Sequence, residues 1–341
     1  MVNYPDLDFP EIDIYFSKMD YSNIPDKVRT VGILPIGGFA LMSYASTVEP
    51  LRAANLLSRR RLYDIVNIGI DGAPVQSSGA AYVKAQAAVG DALTLDYLFV
   101  VAGGDPASFS DRRVLNWIAH IARTGALLGG VSGGPVILAR AGLMEGRRMT
   151  VHWEHAEALA EISPSLAIER ALYVIDRDRV TCAGGTAPMD LMNALISQHH
   201  GVQFARLVSD WFLHTKIRPS GDPQRSGLVE RIGSSNAAIL NAVAAMETHV
   251  ADPLTLGHLA RISGVSMRQL NRLFTQKLRQ PTMKYYRELR LDKAQSLLRN
   301  SPLSLTEIAL ACGFANSSHF SQVYSAKYRH PPSRIRTRIA P

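Results

Sequence analysis

A chain of 341 residues, 47% hydrophobic and 19% charged, carries apolar material for two or three packed domains, which excludes general disorder. Its two cysteines, Cys182 and Cys312, stand far apart and form neither a disulfide framework nor a metal set, which suits a reducing cytoplasm. The net charge of +8 is unevenly spread: from Arg231 onward sixteen Lys/Arg stand against five Asp/Glu, whereas the preceding residues hold 21 basic against 24 acidic. The basic character therefore belongs to the last third, the pattern of a nucleic-acid-binding module joined to a neutral domain.

The first residues, MVNYPDLDFPEID, have early acids and no basic-then-apolar signal, so a cytoplasmic location is expected. No apolar run approaches the ~18 residues of a membrane span, so no membrane partner is expected. In chain order, Val31–Pro35 reads as a strand, followed by Gly37-Gly38 and a helix around Ala45–Leu57. Leu62–Ile70 and Tyr97–Ala102 are further strands, the latter ending in Gly103-Gly104. Asp111–Thr124 is an amphipathic helix, Ala126–Gly129 a short strand, and Pro135–Ala141 a helix after a glycine-rich turn. Val180–Ala183, Gly184-Gly185 and Pro188–His200 repeat the strand–turn–helix pattern, and Phe204–His214 is one more helix. This alternation predicts an α/β domain, a parallel sheet with helices on both faces, with ligands near the carboxyl ends of the strands.

Residues 217–227, rich in Pro, Gly and polar side chains, have the composition of a linker. Beyond them the spacing is helical throughout: Ile239–His249, Leu256–Ile262, Met267–Leu278, Met283–Leu298, Leu305–Ala311 and Ser317–Tyr328. The expected domains are an extension over 1–27, an α/β domain over 28–215, a linker over 216–233 and an all-α domain over 234–338.

The all-α part contains a repeat. Leu256 to Val265 aligns with Leu305 to Phe314: matching apolar positions, a small Ala260 or Ala309, and Gly264 or Gly313 four residues on. Such a glycine suits the turn of a helix-turn-helix, where a left-handed backbone strains larger residues. Ser266 and Gln269 read as a capping box opening the next helix, and Asn316 as the cap of its counterpart. The sixteen residues of Met283–Leu298 would span roughly 24 Å, so two recognition helices can sit about one DNA turn apart.

The stretches "LTLGHLARISGVSMRQLNRLFTQKL", "YYRELRLDKAQSLL" and "LSLTEIALACGFANSSHFSQVYSAKYRHPPSRIR" resemble the AraC/XylS family DNA-binding domain, with two helix-turn-helix units joined by a long helix. The resemblance places Arg268, Gln269, Asn271 and Arg272 of the first recognition helix, and Ser317, Ser318, His319 and Gln322 of the second, toward double-stranded operator DNA. Arg pairs bidentately with guanine and Asn with adenine, so the first helix is the stronger reader and the second positions phosphates. Arg334, Arg336 and Arg338 are either phosphate contacts or a solvated tail.

Gly130-Val-Ser132-Gly-Gly134 fits the G-x-S-x-G of a nucleophile elbow. With "VVAGGD" and "CAGGTAPMDLMNALI", the region resembles the PfpI-like branch of the class I glutamine amidotransferase-like superfamily, a flavodoxin-like fold, over residues 28–200. Enzymatic members carry cysteine where Ser132 stands, and the histidine of their "HW" pair corresponds to His152. A serine needs a contacting base and a group orienting it, here His152 with Glu49 or Asp190. A serine or amide hydrolase built on Ser132 and His152 is thus the alternative; the favoured reading is a pseudoenzyme with no catalytic residue, cofactor or metal. A third reading is a constitutive DNA binder whose first domain only dimerises.

The pairing of the two resemblances implies a ligand-responsive transcriptional regulator, an activator of a catabolic operon that works with RNA polymerase and dimerises. "FALMSYASTVEPLRAANLLSRRRLY" resembles regulators of amine catabolism responding to glycine betaine, carnitine or arginine. The expected pocket holds Glu49, Gly103, Gly104, Ser132, Gly133, His152, Trp153 and Thr186. In it the Gly130–Gly134 turn would receive a carboxylate on its N–H groups, Glu49 would balance a cationic nitrogen, and Trp153 would offer an aromatic face.

Overall fold

The structure, a computed structural model, describes residues 27–337; the first 26 residues of the expected extension, and Arg338, lie outside them. Strand β1 (Arg29–Pro35) leads to helix α1 (Leu41–Ser58), then β2 (Tyr63–Gly69), the short β3 (Val75–Gln76), β4 (Tyr82–Val83) and β5 (Ala87–Ala88), and β6 (Tyr97–Ala102). Helix α2 (Arg112–Arg123) precedes β7 (Leu127–Ser132) and α3 (Gly134–Arg140). There follow β8 (Arg148–Met149), α4 (Trp153–Ile162), β9 (Ala167–Ile168), β10 (Tyr173–Asp176), β11 (Arg179–Cys182), α5 (Ala187–His200) and α6 (Val202–Trp211).

The main sheet has the order β10-β11-β7-β6-β1-β2-β5. It is parallel except for β10, which runs antiparallel to β11 at one edge. Period-two alternation explains its two covered faces. Along β6, Phe99 and Val101 point to one layer, with Leu57 of α1, Leu191 of α5 and Phe204 of α6. Leu98, Val100 and Ala102 point to the other, with Ile118 of α2, Ile137 of α3 and Leu159 of α4. This is the expected flavodoxin-like arrangement, with two corrections. Strand β7 begins at Leu127 rather than Ala126 and continues past Gly129 to Ser132, and α4 and β10 show no clear apolar period to announce them. Gly134 is required where α3 crosses β6: a Cβ there would lie 1.9 Å from the Val100 carbonyl oxygen.

The C-terminal part is all-α: α7 (Leu228–Ile232), α8 (Ala237–Thr248), α9 (Leu256–Ile262), α10 (Met267–Leu278), α11 (Thr282–Asn300), α12 (Leu305–Ala311), α13 (Ser317–Tyr328) and α14 (Ser333–Thr337). It holds two small cores strung along α11. Tyr286 of α11 packs with Ile239, Leu259, Leu270 and Phe274. Leu291 and Leu297 of the same helix pack with Ile308, Phe314, Phe320 and Tyr324. Both turn glycines are left-handed, Gly264 at φ +66° and Gly313 at φ +69°.

Candidate ligand cleft and nucleic-acid interface

At the carboxyl ends of β7 and β11 a cleft of about 220 Å³ is lined by His152, Trp153, Leu172, Ala183, Gly184, Gly185, Thr186, Ala187, Arg218 and Gln224. Of the eight expected ligand residues it thus brings together His152, Trp153 and Thr186. Ser132 lies just beneath, held at φ +60°, and its Cβ would be 2.6 Å from a Cβ on Gly184. Gly103, Gly104 and Gly133 sit at the ends of β6 and β7, outside the lining. Glu49, on α1, is not in the lining either; it pairs with Arg52 at 2.6 Å.

The geometry of the elbow is that of a turn already in use. The Gly133 N–H donates to the Ala102 carbonyl at 3.0 Å, and the Ser132 carbonyl accepts from the His152 N–H at 3.3 Å. The Gly133 N–H of the expected carboxylate turn is thus already bonded, and Pro135, which follows the turn, has no N–H to offer. Among the described residues no hydrogen bond joins the Ser132 hydroxyl to a histidine ring. His152 caps α4 instead, its Nδ1 accepting from the Glu154 N–H at 3.3 Å. Burial lowers the His152 pKa from its ordinary value, with Glu154 opposing, so the ring is neutral near pH 7. Burial also pushes the neighbouring Cys182 thiol up to about 12, which leaves it without thiolate character.

The group expected to orient a base is engaged elsewhere. Asp190, wholly buried, is bonded by His214 Nε2 at 2.8 Å and by Arg218 through Nη2 at 2.7 Å and Nε at 3.0 Å. Arg218 Nη2 also donates to Thr186 Oγ1 at 3.0 Å, and Thr186 is the N-cap residue of α5. Among the described residues Arg218 Nη1 has no protein partner. One wall of the cleft therefore combines a guanidinium, a hydroxyl and a helix N-terminus, all suited to a carboxylate.

Sequence reasoning missed Arg218 and Gln224, which lie in the segment read as linker. That segment is bonded to the α/β domain. Ser220 accepts from the Leu172 N–H at 2.7 Å. Gln224 Nε2 donates toward Thr150 Oγ1, the Val151 carbonyl and the Ala171 carbonyl at 3.0, 3.1 and 2.8 Å. Pro and Gly mark irregular backbone, and composition does not say whether irregular backbone is docked. The side chains Gln224 and Arg225 within the run were the available signal.

Helix α4 starts at the cleft and packs on α11. Ala158 is buried in the core around Leu291 and Leu297, and the Glu154 carbonyl accepts from Ser296 Oγ at 3.3 Å and Asn300 Nδ2 at 3.4 Å. Glu161 faces Lys293 at 3.9 Å. The cleft and the helix carrying both helix-turn-helix cores thus share one element.

On the nucleic-acid side, Arg268, Gln269 and Arg272 are exposed on α10, and Ser318, His319 and Gln322 on α13, with Ser317 half-buried at its start. Asn271 is half-buried, and its Oδ1 accepts from the Thr282 N–H at 2.9 Å, bracing α10 against the start of α11. Ser266 caps α10 through the Gln269 N–H at 3.2 Å, half of the expected box. The reciprocal pair is made at the other unit, Ser304 with Glu307. Asn316 caps α13 through the His319 N–H at 2.8 Å, as expected. Arg290 of α11, unremarked in the sequence, donates to the Cys312 and Gly313 carbonyls at 2.8 and 2.5 Å and stacks 4.3 Å over Phe314.

Residues 38–198 match the DJ-1/PfpI family and residues 259–338 a helix-turn-helix domain. The chain is 42% identical over 312 residues to the HTH-type transcriptional regulator GlxA of Rhizobium meliloti, covering 91% of this chain and 96% of that one. It is 42% identical over 303 residues to the HTH-type transcriptional regulator CdhR of Pseudomonas aeruginosa, covering 89% and 90%. A crystal structure of an AraC family transcriptional regulator from Pseudomonas putida superimposes with a TM-score of 0.50 and 27% identity, covering 54% of this chain and 99% of the other. These high-coverage relatives are regulators rather than enzymes, which removes the hydrolase alternative. The chain belongs to the HTH-type transcriptional regulators that join a DJ-1/PfpI domain to an AraC-type helix-turn-helix domain.

Proposed function

We propose that this DNA-binding regulator responds to a small amine or amino-acid-like metabolite held in the cleft of the DJ-1/PfpI domain, and that it activates a catabolic operon. The observation that carries the reading is the lining itself: the Arg218 guanidinium and Thr186 face the same space as the Trp153 indole and a neutral His152. A carboxylate belongs at the first pair and a cationic nitrogen over the indole. Binding shifts the population of arrangements of the DNA-binding units, through α4 where it packs on α11 and through the 218–225 segment. The operator is double-stranded DNA, contacted by Arg268, Gln269 and Arg272 on α10 and by Ser317, Ser318, His319 and Gln322 on α13. The working species is a homodimer in the cytoplasm that engages RNA polymerase.

Calorimetry on the full chain with glycine betaine, carnitine and L-arginine tests the ligand class. At least one is expected to bind in the micromolar to millimolar range and to raise reporter output from an operator selected with the protein. Binding of some other metabolite class, with none of these three bound, would overturn the reading.

A further inference from the structure

The indole that would receive a cationic effector already carries a cation. The guanidinium carbon of Arg225 lies 4.5 Å from the centre of the Trp153 ring. Trp153 remains 45% exposed, so the contact is made at the open rim of the cleft and not within a core. Arg225 reaches it because Gln224 is pinned to Thr150, Val151 and Ala171, while Arg218 anchors the other end of the segment to Asp190 and Thr186. Residues 218–225 therefore run along the cleft as a strap.

The anchors differ in strength. Arg218 is held by a wholly buried carboxylate, and Gln224 by three carbonyl or hydroxyl oxygens. An exposed guanidinium on an indole is the weakest of the three attachments. It is the one a ligand displaces without dislodging the rest of the strap. Gln224 Oε1 is moreover buried without a partner, so the docked end of the strap is not fully satisfied where Arg225 begins.

Resting on the amine reading above, we propose that Arg225 occupies the cation subsite of the cleft, and that a zwitterionic effector binds by taking its place on Trp153 while Arg218 holds the effector's carboxylate. The exchange swaps one cation for another on the same ring and frees the chain from Arg225 onward, at the entrance to α7 and the DNA-binding domain. The occupant of the ring marks the cation subsite, and Arg218 marks that of the carboxylate, so the effector joins a carboxylate to a cationic nitrogen.

The test uses the full chain with L-arginine and glycine betaine as probes, titrated by calorimetry into the wild type, Arg225→Ala, Trp153→Leu and the double variant. Removing the internal competitor is expected to tighten binding of a probe roughly two- to fivefold, the range set by an exposed cation–π contact. Trp153→Leu is expected to weaken binding and to abolish the gain from Arg225→Ala, because without the ring there is nothing to compete for. Trp153 is half-exposed, so its replacement does not threaten folding. Binding to Arg225→Ala that is equal to or weaker than wild type overturns this proposal while leaving the amine reading intact. A gain from Arg225→Ala that persists without Trp153 overturns it equally. If neither probe, nor carnitine, binds the wild type or Arg225→Ala, the amine reading itself fails and takes the proposal with it.

Discussion

The buried carboxylate of Asp190 is bonded by the guanidinium of Arg218 through Nη2 at 2.7 Å and Nε at 3.0 Å. This pair fixes the strap to helix α5 and supplies the cationic wall of the cleft. Arg218→Ala leaves Asp190 with the His214 ring and the residue-218 N–H as its remaining partners. Stripping a partner from a wholly buried pair costs about 3–5 kcal/mol; Arg218 is 31% exposed, so a loss on the order of 2–3 kcal/mol is expected. Arg218→Lys keeps the charge but not the fork and is expected to fall in between. Urea denaturation checks this, and a loss below 0.5 kcal/mol (roughly the surface-pair range) would sink it.

The two turn glycines are not equivalent, although they align in the repeat. A Cβ on Gly313 would lie 2.5 Å from the Val250 carbonyl oxygen and 2.6 Å from Pro253 Cγ, whereas one on Gly264 meets nothing within 4 Å. Gly264→Ala is expected to cost about 1–2 kcal/mol, from the left-handed backbone alone. Gly313→Ala adds a clash with backbone and should cost about 3 kcal/mol or more. Thermal unfolding of both variants decides the order. Equal losses would contradict it.

Arg268 and Asn271 lie three residues apart on α10 and should respond differently to removal. Arg268→Ala is expected to weaken binding to a selected operator by ~1–3 kcal/mol and to relax preference at one base position. Asn271 braces the Thr282 N–H, so Asn271→Ala should lower stability by about 1 kcal/mol, in the range of a lost cap. Affinity measured across single-base operator variants, with unfolding curves, separates the two. A base-specific defect in a fully stable Asn271→Ala would reverse the assignment.

His155 is buried on α4, and burial, with His152 adding to it, pushes its pKa down to about 4. The folded state therefore holds a neutral ring where the unfolded chain takes up a proton near pH 6.5. The stability associated with it is fully present above pH 6.5 and is lost as the pH falls toward 4, up to ~3 kcal/mol. His155→Gln should flatten that part of the stability–pH curve relative to wild type. A variant curve parallel to wild type between pH 6.5 and 4 would disprove the assignment.

Local pattern made most of the elements legible. Leu256–Ile262, Met267–Leu278, Leu305–Ala311 and Ser317–Tyr328 are observed with the same ends that apolar spacing, caps and glycines predict. Strand β6 was equally plain because a strand buried on both faces is an uninterrupted apolar run. Strand β10 is short and lies at an edge, and α4 spends its apolar residues on two different partners, so neither shows a clean period. The cleft was half legible: His152, Trp153 and Thr186 follow turns or open helices at the strand ends. Arg218 and Gln224 come from a stretch whose composition speaks only of backbone irregularity.

By itself the sequence determined the two-domain plan, the duplicated helix-turn-helix and its basic charge, because these rest on short-range spacing, capping and composition. Only the tertiary structure decided that the elbow's Gly133 N–H is already bonded, that Asp190 pairs with Arg218, and that the strap sets Arg225 on Trp153. The physical reason is one of range. Helix periods and turns are settled within a few residues, whereas the partner of a buried carboxylate or an open indole is chosen by packing between segments tens of residues apart.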